Sequence, residues 1–169
     1  MFDFSSGTTK YKAYMQDFAG TLRDENTVKV TANTHSYKAV TTADCGKVQP
    51  FRGVEYFASL ASGSAQTITL DVLTDGVTLT DAEAWLEVDY FAGSTSIGTT
   101  ATDAVADALA TPANQTTSSA TWTTTGITTP VKQSLSVTVT PGAADYAIVR
   151  AVFAKPSTTV YIDDRLTVA

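Results

Sequence analysis

The chain is short of charge: only 17% of its 169 residues are Asp, Glu, Lys or Arg, against about a quarter in ordinary globular domains. Its 11 basic residues are scattered, with only Lys10 and Lys12 close together, and the formal net charge is −6. A nucleic-acid binder needs a basic stripe to neutralise phosphates, so that class is disfavoured. Cysteine is reduced to Cys45, which excludes an intrachain disulfide. Histidine is reduced to His35. One His and one Cys cannot build a zinc site of the usual nitrogen–sulfur kind within one chain. No apolar run approaches the ~20 residues of a membrane-crossing helix. The opening MFDFSSGTTKYKAYMQDF also lacks a basic region followed by an apolar run. The expectation is a soluble protein, made in a cytoplasm, with no membrane or nucleic-acid partner.

Hydroxyls replace the missing charge. Threonine alone is roughly one residue in five or six, and its β-branch disfavours helices and suits a pleated surface. Apolar and polar residues alternate along much of the chain. Residues 133–140 set Leu135, Val137 and Val139 against Ser134, Ser136, Thr138 and Thr140, one apolar and one hydroxyl face of a half-buried antiparallel strand. Similar patterns run over 9–16, 27–32, 51–60, 66–73, 84–91, 147–154 and 158–162, with 36–40 continuing or pairing with 27–32. Ala19-Gly20, Asp75-Gly76, Pro141-Gly142 and Lys155-Pro156-Ser157 punctuate them as turns. Residues 93–119 carry the weakest signal. There 102–110 (TDAVADALA) reads as a short helix or, slightly preferred, as part of a long ordered loop. These patterns predict an all-β antiparallel sandwich, jelly-roll-like, of about 8–10 strands. Residues 1–10 form an N-terminal arm and 11–169 a single domain.

The residues that could carry chemistry are few. His35, between Thr34 and Ser36, would need a serine nucleophile and a carboxylate such as Asp44, and no GxSxG turn is present. It reads as an exposed strand residue, and the expectation is a protein that is not an enzyme. Asp24-Glu25, Asp103, Asp107 and Asp163-Asp164 offer oxygen ligands suited to Ca²⁺, but no DxDxDG loop organises them. No metal or other cofactor is expected. In 84–91, Ala84, Leu86, Val88 and Tyr90 share one face, and Trp85, Glu87, Asp89 and Phe91 the other. Aromatics beside carboxylates fit an outer face covered by a loop or a subunit, or a shielded strand edge. Trp85 and Trp122 raise sugar binding, although a buried tryptophan is the default in a sandwich. Asn114-Gln115-Thr116 matches a glycosylation sequon, which means little without a secretory signal.

The combination of LTDAEAWLEVDYF, LATPANQTTSSATWTTTG, TPVKQSLSVTVTP and VRAVFAKPSTTVYIDDRLTV resembles small all-β virion proteins of tailed bacteriophages. Several of these are capsid decoration, or cement, proteins with a jelly-roll-like fold. The resemblance covers residues 66–168 in pattern and order, and YKAYMQDFAGTLRDENTV is compatible with it. It implies a virion structural protein on the outer capsid surface, stabilising the head, with the major capsid protein as partner. It also implies a dimer or trimer, synthesis in the bacterial host and no catalytic residue. Phe2, Phe4 and Tyr11, ahead of or within the first strand, join Trp85 and Phe91 as expected interface residues. VYIDD is similar to the ends of carbohydrate-binding jelly rolls, so a sugar- or receptor-binding module of a phage tail or fibre is the alternative.

Overall fold

The computed structural model describes residues 10–11, 19–31, 36–61, 63–91, 103–108 and 126–169. Their strands are β1 (Lys10–Tyr11), β2 (Gly20–Glu25), β3 (Ser36–Thr41), β4 (Phe51–Ser59), β5 (Gln66–Asp75), β6 (Ala84–Phe91), β7 (Asp103–Ala108), β8 (Pro130–Val139), β9 (Tyr146–Phe153) and β10 (Thr159–Val168). Every pair is antiparallel. One five-stranded sheet has the order β1-β4-β9-β6-β7 and the other β2-β3-β10-β5-β8. We call them the β9 sheet and the β10 sheet after their central strands.

Four ladders are nested about one centre: β6 with β7, β5 with β8, β4 with β9 and β3 with β10. It is as if one long hairpin had been rolled, its successive rungs falling alternately in the two sheets. The roll closes when β9 also pairs with β6, and β10 with β5. For β3–β10 this is the eight-stranded jelly roll, and β1 and β2 extend one edge of each sheet. The expected all-β antiparallel sandwich is therefore the fold.

The strands form where period-two alternation lets one face meet the opposite sheet. In the β5–β8 ladder, Ile68, Leu70 and Val72 stand opposite Val137, Leu135 and Gln133. With Phe51, Leu86, Phe153 and Ile162 they fill the space between sheets, and all are buried. Each large apolar side chain so placed contributes about 1.5–3 kcal/mol. Gln133 is the polar member, with 0% exposure. It is tolerated because both ends of its amide are used: Leu79 N–H donates to Oε1 (2.7 Å) and Nε2 donates to the Leu79 carbonyl (2.8 Å). A side chain here replaces the strand that the segment between β5 and β6 would otherwise need for its backbone groups.

Four local expectations change. Residues 103–108 form strand β7 rather than a helix or loop, because pairing with β6 overrides the helical preference of an alanine-rich segment. Residues 20–25 form an edge strand whose inward positions, Gly20, Leu22 and Asp24, hold one large apolar residue, too few for a visible period. Residues 27–31 belong to no ladder strand. Val28 and Val30 instead pack with Leu73 and Tyr161 on the outside of the β10 sheet, and Val30 N–H donates to buried Ser36 Oγ (3.0 Å). Finally, the last strand runs beyond residue 162 to Val168 because a bulge lets it continue.

Gln133→Leu should lower stability by about 1–3 kcal/mol, since the Leu79 N–H and carbonyl lose their partners inside the protein. Urea denaturation reads this as a lower midpoint, and an unchanged midpoint would refute the clamp.

Candidate functional site

The outer face of the β9 sheet is built from four rungs across β4, β9 and β6: Arg52–Val152–Trp85, Glu55–Arg150–Glu87, Phe57–Ile148–Asp89 and Ser59–Tyr146–Phe91. Charge occupies the middle. Arg52 forks onto Glu87 (Nε–Oε2 2.9 Å, Nη2–Oε1 2.8 Å), the bidentate geometry that makes such pairs strong. Arg150 reaches Glu55 in the neighbouring strand (2.5 Å) and Asp89 on the other side. Burial alone would lower the Arg150 pKa, but its hydrogen bonds to Asp89 and Glu55 raise it above the ordinary value. Beyond the charges, Phe57 stacks on Tyr146 with ring centroids 5.0 Å apart and stays 40% exposed. Trp85 is half-buried at the other end. Next to it Lys155 pairs with Glu83 (2.5 Å), whose second oxygen accepts the Thr80 N–H (3.0 Å). Burial pushes the Glu83 carboxyl up, but the hydrogen bonds from Lys155 and Thr80 outweigh it and hold the pKa below the usual carboxylate value.

The outer face of the β10 sheet is different. Between Ile162, opposite Val72, and Leu166, opposite Leu70, the last strand carries Asp163, Asp164 and Arg165 against Asp71 alone. The surplus residues make a bulge, which bends a strand and re-aims its side chains. Asp163 Oδ1 accepts the Arg165 N–H (3.1 Å), and Tyr56 reaches from the opposite sheet to give its hydroxyl proton to the Asp163 carbonyl (2.5 Å). Burial pushes the Tyr56 phenol well above its usual pKa, so it remains a donor. Beside the bulge lies a cavity of about 440 Å³ lined by Thr31, Thr69, Asp71, Asp163, Arg165, Leu166 and Thr167. Asp71 is held by Ser134 Oγ (2.6 Å) and Lys132 Nζ (2.7 Å).

The structure distributes the expected interface residues unevenly. Tyr11, opposite Glu55 in register, and Trp85 and Phe91 on β6 all belong to the β9 sheet. Phe2, Phe4, His35, Asn114 and Trp122 lie outside the described residues. Asp163 and Asp164 are buried in the β10 bulge. Among the described residues, no group of three or more His, Cys, Asp and Glu side chains could hold a metal ion, and no helix is long and apolar enough to cross a membrane. Phe57, Tyr146 and the bulge cavity escaped the sequence reading. The only local signal for the cavity was the interrupted alternation at Asp163-Asp164-Arg165.

No family model matches the chain, and no curated protein matches it. Among solved structures it is similar to the crystal structure of the enzymatically active domain of tailspike protein 4 of bacteriophage CBA120, at 12% identity and a TM-score of 0.42. The match covers 89% of this chain but 18% of that one, so the chain spans about a fifth of its length. A likeness of that size transfers neither an activity nor a place in a virion.

The Glu83–Lys155 pair gives the β9 face a defined response to acid. With its folded pKa depressed, Glu83 contributes stability that is fully present above the unfolded value and lost as pH falls through the folded one. Glu83→Gln should therefore cost about 1 kcal/mol at neutral pH, and the difference from the native chain should vanish in acid. Urea midpoints across the acid range check this, and a pH-independent difference would contradict the assignment.

Proposed function

We propose that the protein is a structural component of a bacteriophage virion, a capsid decoration protein that docks on the outer shell and stabilises the head. One observation carries the reading: the outer face of the β9 sheet is strand-borne, paired in its charges and aromatic at its ends. A surface of this kind suits docking because its side chains are already ordered, so little conformational entropy is lost on contact. Arg52, Glu55, Glu87, Asp89 and Arg150 satisfy one another within the face, so a partner need not supply a counter-ion for each. Phe57, Tyr146 and Trp85 supply aromatic anchors of the type that dominates binding energy.

The resemblance of residues 66–168 to small phage virion proteins points the same way. The partner is the major capsid protein, and a dimer or trimer of the chain would add avidity on a symmetric lattice. Tyr11 enters this sheet through β1, so an arm formed by residues 1–10, carrying Phe2 and Phe4, would extend the same contact. An interface of ordinary size, about 800 Å² per partner, would suffice.

The test is co-sedimentation with heads of the encoding phage that have been stripped of this protein. The native chain should bind and raise the temperature at which the heads rupture. Phe57→Ser with Trp85→Ala should weaken binding at least about tenfold while the isolated protein stays folded by circular dichroism. Undiminished binding by the double variant, or no binding by the native chain, would overturn the proposal.

A further inference from the structure

We infer that the cavity beside the β10 bulge is a binding site for a neutral saccharide, on the face opposite the proposed capsid contact. The inference does not depend on that contact. Three features of the cavity define the ligand class.

The first is hydrogen-bonding character. Thr167 and Thr69 are cross-strand partners, Ser136 is the next residue across, and Thr67 and Thr138 form the neighbouring pair with hydroxyls 3.0 Å apart. Thr31 stands in the opposite wall. Hydroxyls both donate and accept, so the lining Thr31, Thr69 and Thr167, with Ser136, Thr67 and Thr138 beyond them, match a ligand that presents many groups of both senses, as a sugar does.

The second is charge. Asp71 and Asp163 line the cavity with Arg165, and Lys132 is bonded to Asp71 (2.7 Å). Arg165 lies 3.9 Å from the buried Asp164, so both cations already face a carboxylate. A strongly anionic ligand would meet no surplus of positive charge, while a neutral polyol could accept from the Arg165 guanidinium, which is 63% exposed.

The third is rigidity. One wall is the segment 26–31, held down by Val28 and Val30 against Leu73 and Tyr161 and by the Ser36 hydroxyl. The opposite wall is the bulge, pinned through Tyr56 across the core. A cavity of about 440 Å³ falls within the size range of pre-formed small-ligand sites. Trp85 lies on the other sheet, so this is a different place from the Trp85 surface that the sequence invited.

The experiment titrates ¹⁵N-labelled protein with neutral oligosaccharides of glucose, galactose, mannose and N-acetylglucosamine, and with a sialylated oligosaccharide as the charged control. At least one neutral sugar should shift the Thr69, Arg165 and Thr167 amides at about 1 mM or below, with the charged sugar weaker. Thr69→Val with Thr167→Val keeps shape and strand preference, and should reduce affinity about tenfold with an unchanged melting temperature. If the paired variant is destabilised, Arg165→Ala on the exposed side chain replaces it with the same expected loss. The inference is overturned if no neutral sugar shifts these amides, if the shifts cluster around Trp85, or if the variants bind as well as the native chain.

Discussion

The constraint on which the molecule depends is that its last two strands are its central ones. β9 is held between β4 and β6, and β10 between β3 and β5. Neither sheet is continuous until residues 146–168 are in place, and their partners lie up to a hundred or more positions earlier in the chain. Such long-range pairing is the costly kind, because chain entropy is lost before the contacts form. It is offset by sealing the apolar faces of both sheets at once. The Tyr56 hydroxyl then links the two halves by holding the Asp163 carbonyl across the core.

That closure leaves two outer faces with different chemistry. On the β9 sheet, Arg150 bonds Glu55 and Asp89 on its two neighbouring strands and Arg52 reaches across β9 to Glu87, with aromatics beyond the charges. On the β10 sheet, part of the surface is roofed by residues 26–31 and part is opened by the bulge. One face is a broad platform and the other holds a walled cavity. The proposed docking surface and the proposed small-ligand site thus lie on opposite outer faces of the sandwich.

Much of the sandwich was legible in the chain itself. Alternation at Ile68, Leu70, Val72, Leu135, Val137 and Val139 named the inward face, and 84–89 was divided correctly between core and outside. The failures share a cause. The strand at 20–25 and the strand at 103–108 are edges with little or no periodic apolar signal, so only their neighbours specify them. Val28 and Val30 alternate like a strand because they also cover a sheet, but as a roof rather than a member. For the candidate sites, Trp85 and Phe91 were visible as aromatics among carboxylates. The pairing of Arg52 and Arg150 with those carboxylates was not, since it joins residues up to 95 positions apart.

The sequence by itself determined the fold class, the solvent-shy face of each strong strand and the poverty of catalytic groups. These follow from local composition and a period of two, which any window of the chain displays. Only the tertiary structure decided the strand order, the rungs of paired charge and the place where hydroxyls, carboxylates and Arg165 converge. Those depend on register between distant segments and on surplus residues in one ladder. No local pattern encodes a relation between strands that meet only when the roll closes.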